Sequence, residues 1–363
     1  MSGAVDFMES AERICGRCAV LLAACAAVLS VFEAPWLAIA YRLALFTTLA
    51  PAIGSLVLVL IHRITGGQWT AGIAPFLRAA VALLPWVWLF VLPVFFLPRP
   101  ASSGSRYLAL TISDYDGLPM TLLRALVVAV LFFVLRSWLA DGEGLPRDPT
   151  LNRRPWVGPV GLILVFFMMT FVGDDGLESL EAGWHSTAFP VAWIASQVVS
   201  GLALALLCGL RCGAMPAQDG VSGRALGIDW GNLMLATMMF WVYVTFCQFL
   251  IIWAGNLPQE ISWYLRRQAG VWRFAPSAVA IFGFALPFLL LLMRRLKRSI
   301  RGLSLVAALL LASQWVYLLW VIAPSQGVPT LPALLLLITG AGAAAAAFMN
   351  RFVRIVRLER KFA

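Results

Sequence analysis

Long runs of apolar residues, separated by short polar segments, follow one another along almost the whole chain. Ten of these runs approach the roughly 20 residues with which an α-helix crosses the hydrocarbon core of a membrane. They are Cys18–Phe32, Trp36–Ile61, Ala79–Leu97, Leu118–Leu135, Val157–Val172, Phe189–Leu210, Asn232–Trp253, Phe274–Met293, Leu303–Ile322 and Leu331–Met349. The pattern therefore predicts an all-α integral membrane protein with about ten transmembrane helices.

Composition points to the same compartment. Hydrophobic residues make up 61% of the chain and charged residues 12%, with a mean hydropathy of +0.88, whereas soluble domains contain about 25% charged residues. The longest segments predicted outside helices are 98–117, 140–155 and 211–228, all rich in glycine, proline, aspartate and arginine. None of them looks like a soluble domain, so we expect one polytopic membrane domain over 1–363.

The net charge of +10 follows the predicted topology and does not indicate nucleic-acid binding. If the N-terminus is cytoplasmic, the inner segments receive most of the arginine and lysine, and the outer loops keep only Arg99, Arg106, Arg266, Arg267 and Arg273. This asymmetry is the positive-inside rule, and it predicts that both termini are cytoplasmic. Acidic residues collect outside, at Asp114, Asp116, Asp174, Asp175, Glu178, Glu181 and Glu260.

The first apolar run is short and follows arginines, so a cleaved signal peptide is an alternative to a helix. Asp6, Glu9 and Glu12 precede the run, and no clear small-x-small cleavage site follows it. We therefore expect the run to remain as a transmembrane helix.

Cysteines and histidines offer little for a metal or haem site. Cys15 and Cys18 have the spacing of a redox or metal motif, but cysteine is also a common small apolar residue in buried helices. The two histidines, His62 and His185, are predicted on opposite sides of a hydrocarbon core about 30 Å thick and cannot ligate one haem together. We therefore expect this chain to bind no metal and no cofactor of its own.

Several segments carry a family resemblance. The most informative is the helix Phe240–Glu260, which ends in an acidic turn, and the second is the turn His62–Trp69. Further matches are Leu177–Glu181, Trp184–Thr187, Leu286–Phe288 with Arg294, Lys297 and Arg298, and Trp315–Trp320 with Pro324. Together these segments resemble the F subunit of alternative complex III, a bacterial quinol:electron-acceptor oxidoreductase, as a divergent member.

The resemblance implies a polysulfide-reductase-like (NrfD-like) architecture with two four-helix bundles. These would cover residues 36–172 and 187–322, with peripheral helices at 13–32 and 331–350. In that family the F-type subunit lies in the bacterial inner (plasma) membrane and has no redox centre of its own. A homologous sister subunit oxidises quinol, and an iron–sulfur subunit and haem c subunits carry the electrons.

The chain also departs from the family pattern. The family's proline and histidine in the outer segment are Ala182 and Gly183 here, and His185 lies two residues further along. In the ninth helix Gln314 and Tyr317 replace a histidine and an aspartate of the family motif. Two protonatable groups are thus absent from this helix, which weakens the case for proton translocation and raises that for a different parent complex.

Three outer residues are candidates for a proton relay. Glu181 and Glu260 stand at the outer ends of the sixth and seventh predicted helices, where partial burial can raise the pKa of a carboxyl group. His185 lies nearby and titrates near neutral pH. The structural alternative is that these residues are solvated helix ends or caps.

Arg42 and Arg124 fall within the outer thirds of predicted helices, where an unpaired charge is costly. We expect them to form ion pairs with Glu181, Glu260 or Asp116.

Trp241, Tyr243 and Gln248 lie within one predicted helix. Their side chains could stack on and hydrogen-bond a quinone head group. Hydrogen bonding between helices is the commoner use of such groups in membranes.

Three classes of function remain open at this stage. The leading one is a cofactor-free membrane subunit that supports a quinol-oxidising sister subunit, with proton conduction as an open possibility. A transporter is the second, favoured by prolines within the predicted helices. The third is an intramembrane enzyme using His185 with Asp174 or Asp175, which lacks a recognisable nucleophile motif.

Overall fold

The computed structural model describes residues 2–91, 118–140, 154–181, 184, 186–213 and 221–362. Within these ranges the secondary structure is helical, with no strand. The α-helices are α1 Ser2–Phe32, α2 Ala34–Thr65, α3 Ala74–Ala82, α4 Leu84–Leu89, α5 Leu118–Ala140, α6 Val157–Gly176, α7 Phe189–Arg211, α8 Val221–Gly255, α9 Pro258–Arg266, α10 Ala275–Ala280, α11 Leu286–Leu292, α12 Arg294–Lys297, α13 Ile300–Ile322 and α14 Leu331–Phe362.

Nine helical stretches in the described part of the chain are long and apolar enough to cross a membrane. The predicted all-α, multi-pass membrane protein is confirmed. The third predicted run differs, because it is divided into the short helices α3 and α4, which together extend over Ala74–Leu89. Pro85 lies in the first turn of α4, where its missing N–H breaks no hydrogen bond within that helix.

The two ends of the chain lie on the same side of the molecule, because α1 runs antiparallel to α14. At one end of this pair Arg357 forms ion pairs with Glu9 at 3.1 Å and with Glu12 at 3.0 Å. At the other end the Thr330 hydroxyl donates a hydrogen bond to Glu33 at 2.6 Å. We call the side of Arg357 the terminal face and the side of Glu33 the acidic face.

The short helices α3 and α4 connect these two faces. Arg78 in α3 pairs with Glu359 at the terminal face, at 3.4 Å. The carbonyl oxygen of Phe90, just after α4, accepts a hydrogen bond from the hydroxyl of Tyr41, two turns from the acidic end of α2, at 2.8 Å. In the described chain this segment is a shorter apolar stretch beside the nine longer ones. The end of the predicted third run, residues 92–97, lies outside the described residues, so a tenth crossing stays a prediction.

Helices α2 and α7 cross at the centre of the molecule without side chains between them. A Cβ added to Gly201 would lie 2.5 Å from the backbone nitrogen of Ser55, and one on Gly54 would clash with the carbonyl oxygen of Gln197. Around this crossing α2 also packs on α6 and α14, and α7 packs on α8 and α13. The division into bundles at 36–172 and 187–322, with peripheral helices at 13–32 and 331–350, stays a prediction.

One crossing is discontinuous. Between Gly270 and Leu292 the chain forms a 3₁₀ turn, α10, a five-residue π-helical segment at Ile281–Ala285, and α11. Gly283 lies within the π segment, and a Cβ there would clash with the hydroxyl of Ser313 in α13. The π segment therefore packs closely on α13 at Gly283.

Candidate functional site

A buried carboxylate and two arginines form the polar centre of the acidic face. Glu181 follows the short 3₁₀ helix Glu178–Leu180 and is only 4% exposed. Its carboxylate pairs with Arg267 at 3.1 Å and with Arg266 at 2.6 Å. The preceding turn is held by Glu178, which accepts a hydrogen bond from the backbone N–H of Ser186 at 3.1 Å.

Arg267 is the more deeply buried of the two arginines, at 2% exposure. Besides Glu181, its guanidinium donates to the carbonyl oxygens of Trp263 at 2.9 Å and Val321 at 2.7 Å. It also lies 3.6 Å from the ring centroid of Trp263, which stacks on Trp184 at 4.9 Å. Burial lowers the pKa of Arg267 to about 10, against the opposing effect of Glu181, so the side chain is still charged at neutral pH.

A cavity of about 700 Å³ adjoins Arg267. Its walls are mainly aromatic and come from α8, α9, α13 and the discontinuous crossing. The lining includes Trp241, Phe249, Tyr264, Phe284, Tyr317 and Trp320. A mostly apolar cavity of this size with a few polar groups is typical of small-molecule binding sites.

Three residues that line this aromatic cavity carry hydrogen-bond donors. The Nε of Arg267 and the indole N–H of Trp320 are buried, and neither has a hydrogen-bond partner among the described residues. Burial raises the pKa of Tyr264, so its phenol remains protonated and able to donate. These groups suit a ligand that presents hydrogen-bond acceptors, such as carbonyl oxygens.

The three residues that the sequence suggests as quinone contacts differ in burial and in their position relative to the cavity. Trp241 is buried in the cavity wall, with its ring edge-on to Tyr317 at a centroid distance of 5.3 Å. Tyr243 also lines the cavity but is 65% exposed, on the side that faces lipid. Gln248 is buried and does not belong to the lining.

The ion pairs differ from those expected. Arg124 forms two hydrogen bonds with Asp175, one of them from Nε at 3.0 Å, so the expected pairing of Arg124 with Glu181, Glu260 or Asp116 is wrong for the described acids. Arg42 is buried in α2 and donates to the carbonyl oxygen of Ala38 at 3.5 Å. Asp116 lies outside the described residues.

The sequence pattern does not identify Arg266 and Arg267 as the partners of Glu181, because there they are simply two charges of a predicted outer loop. The signal is available in the short amphipathic segment Pro258–Arg266, whose last residue is an arginine and which is followed directly by Arg267. A helix C-terminus favours cations, and a nearby buried acid was already expected. What the sequence lacked was the proximity of two segments far apart along the chain.

The structure describes two of the three residues proposed as a proton relay, Glu181 and Glu260. Glu260 lies half-buried in the first turn of α9, where a negative charge is favoured by the helix dipole. No hydrogen bond or ion pair joins it to Glu181 among the described contacts. His185 lies outside the described residues, so the relay with Glu181, and an enzyme site with Asp174 or Asp175, stay predictions.

Three cysteines come together at the terminal face. Cys15 of α1 and Cys208 and Cys212 at the end of α7 line one cavity of about 220 Å³. Cys18, the other member of the Cys-x-x-Cys spacing, is exposed instead. No group of three or more histidine, cysteine or acidic side chains in the described part of the chain could hold a metal ion.

Comparison with known protein families finds no match to the chain, and comparison with curated proteins finds none either. The resemblance to the alternative complex III subunit therefore rests on the sequence segments quoted above. Functional inference must come from the aromatic cavity and the buried charges beside it.

Proposed function

We propose that the chain is a membrane subunit of a bacterial quinol-oxidising electron-transfer complex related to alternative complex III. In this proposal it lies in the plasma membrane with both termini in the cytoplasm. It holds no redox cofactor and supports a homologous quinol-oxidising sister subunit, with iron–sulfur and haem c subunits as further partners. Its own cavity binds quinone or quinol.

The observation that carries the proposal is the aromatic cavity of about 700 Å³ beside Arg267. A quinone head group is a flat ring with two carbonyl oxygens, which the free N–H groups of Arg267 and Trp320 can bind. Trp241 and Tyr317 supply ring surfaces, and stacked or edge-on aromatic contacts favour a flat ligand. Tyr243, on the lipid-facing side, marks the direction in which an isoprenoid tail would leave.

Glu181 has a supporting role in this arrangement. Its carboxylate holds Arg267 in place together with the carbonyl oxygens of Trp263 and Val321. A cation fixed in this way needs no reorganisation when a ligand oxygen binds. Release of a quinol proton toward the acidic face would then use Glu181 or groups near it.

Binding is tested with decylubiquinone and the purified chain, by titration calorimetry and by photolabelling with an azidoquinone. We expect labelled peptides from α8 and α13 and weaker binding by the variant Phe284→Trp, whose larger side chain occupies the cavity. Trp193→Phe is the control, because Trp193 also has an aromatic side chain but lines a different cavity. Labelling confined to lipid-facing helices, or equal binding by both variants, would contradict a quinone site.

Assembly is a separate test. The chain, tagged at its C-terminus and purified from its native membrane, should bring with it a second polytopic subunit, an iron–sulfur protein and a haem c protein. The purified assembly should oxidise quinol and reduce an acceptor. A chain that purifies alone from mild detergent, with no quinol oxidation in the fraction, would count against the proposed complex.

A transporter is the second candidate because of the discontinuous crossing. Interrupted helices near the middle of a membrane line substrate sites in many transporters, and Pro276 and Phe284 of this crossing line the aromatic cavity. The purified chain in vesicles would then move a solute without partner subunits. Substrate-dependent flux that Phe284→Trp abolishes and Trp193→Phe preserves would favour this alternative.

A further inference from the structure

A second cavity system lies on the opposite side of α13 and does not touch the aromatic cavity. One part, about 460 Å³, is enclosed by α2, α7, α13 and α14 in the middle of the membrane. The other is the cavity of about 220 Å³ near the terminal face that Cys208 lines. Leu207, Ala308 and Met349 line both parts, so the two adjoin. We call the combined space the α14 slot.

Small residues create the slot. Ala308 and Ala312 on α13 face Ala345 on α14 across it, so the two helices leave a gap that larger side chains would fill. Neither Ala308 nor Ala345 carries a side chain beyond Cβ, and the walls on either side are aliphatic and aromatic. The lining hydroxyls of Ser196 and Ser200 donate to carbonyl oxygens of their own helix, at 2.7 and 2.9 Å. An apolar chain is therefore the occupant that these walls favour.

Among the described residues that line the outer part of the slot, Arg211 is the charged one. Arg211, the last residue of α7, lines the outer part and is exposed. It forms no ion pair with any residue that the structure describes. The mouth opens at the terminal face, which is rich in arginine. Basic pockets between helices on such a face bind the head groups of anionic lipids.

We propose that the α14 slot binds one acyl chain of an anionic phospholipid whose phosphate lies against Arg211. The chain enters past Cys208 and Cys212, passes Leu207 and Ala308, and ends before Gln314, the polar residue at the deep end. The positive charge of Arg211 at the mouth favours a lipid whose anionic head group lies in the membrane interface. This inference is independent of quinone binding, because it concerns a different cavity and the opposite face.

The chain has built-in reporters for this site. The thiol of Cys208 lines the slot, whereas Cys25 in α1 is exposed on the lipid-facing surface away from it. A bound acyl chain would cover Cys208 and leave Cys25 unchanged. The ratio of the two labelling rates therefore measures occupancy of the slot and corrects for effects of the detergent or the bilayer.

The experiment uses delipidated full-length chain in vesicles of phosphatidylcholine, with or without phosphatidylglycerol. N-ethylmaleimide labelling of each cysteine is followed by peptide mass spectrometry. We expect phosphatidylglycerol to slow labelling of Cys208 relative to Cys25, and native mass spectrometry to show one retained phosphatidylglycerol. Arg211→Gln should weaken this protection about fivefold, the effect of one interfacial cation. The control Arg351→Gln, a cation of the same face that lies over Trp86, should leave it unchanged.

Ala308→Leu tests whether lipid binding needs the open space of the slot, since the added side chain would fill the junction of its two parts. Less retained phosphatidylglycerol in this variant, with unchanged thermal stability, supports the proposal. Equal protection of Cys208 by phosphatidylcholine alone would overturn it. So would full protection in Arg211→Gln, or protection by oleate without protection by phosphatidylglycerol.

Discussion

At the scale of single residues, Arg267 links the acidic face to the aromatic cavity. Its guanidinium contacts Glu181 on one side and the ring of Trp263 on the other, and it lines the cavity. The sequence singled out Glu181 as functional but gave it the wrong partner. Patterns along a chain show where charges lie on a helix, but they do not show which distant segment will cover them.

Removing the carboxylate of Glu181 should destabilise the protein. In Glu181→Gln the buried cation of Arg267 loses its partner, and breaking a buried ion pair on one side costs about 3–5 kcal/mol. We expect a clearly lower melting temperature in detergent. Glu260→Gln is the matched control, because Glu260 is half-buried and makes no described ion pair. An unchanged melting temperature for Glu181→Gln would mean that solvent or another group compensates Arg267.

Replacing Gln314 should stabilise the protein, in contrast to the loss expected for Glu181→Gln. Both amide atoms are buried and lack a hydrogen-bond partner among the described residues. An unsatisfied buried polar group costs about 1–3 kcal/mol, so Gln314→Met, which keeps the length of the side chain, should raise the melting temperature. Gln68→Met, at an exposed loop position, is the control and should have no effect. A lower melting temperature for Gln314→Met would show that the amide binds something in the native protein.

At the scale of helices, the long apolar runs predicted the elements well, because a span of about 20 apolar residues has few alternatives in a membrane. The irregular crossings were less predictable. The prolines of α4 and α10 are visible in the sequence, but the close contact between Gly283 of the π segment and Ser313 of α13 joins two separate segments. Such a contact has no signature within either segment.

The crossing of α2 and α7 should tolerate no side chain at its centre. In Gly201→Ala the new Cβ would meet backbone of α2, which cannot move aside as a flexible side chain would. Overpacking usually costs about 1–3 kcal/mol, and we expect at least this loss in thermal unfolding. In the control Gly340→Ala the nearest atom would lie 3.8 Å from the new Cβ, an ordinary contact. Equal stability of both variants would mean that α2 and α7 separate easily.

At the scale of the whole molecule, the sequence predicted the fold class because hydropathy and charge act over many residues at once. The aromatic cavity could not be predicted from the sequence, since α8, α9 and α13 form its walls only after they pack against one another. The antiparallel pair of α1 and α14 places the two ends of the described chain on one face, as an even number of crossings requires. The arginine distribution predicts that the terminal face is the cytoplasmic one.

Two engineered cysteines in a cysteine-free chain test the orientation. Val328→Cys lies at the acidic face and Arg295→Cys at the terminal face, and both positions are exposed. The terminal face carries most of the arginine, so it should stay in the cytoplasm. In intact cells a membrane-impermeant maleimide should therefore label Val328→Cys at once and Arg295→Cys only after the membrane is permeabilised. A reporter after Ala363 should likewise read cytoplasmic. Labelling of both cysteines in intact cells would contradict a transmembrane arrangement with these faces on opposite sides, and the reverse order would place the aromatic cavity and Glu181 on the cytoplasmic side.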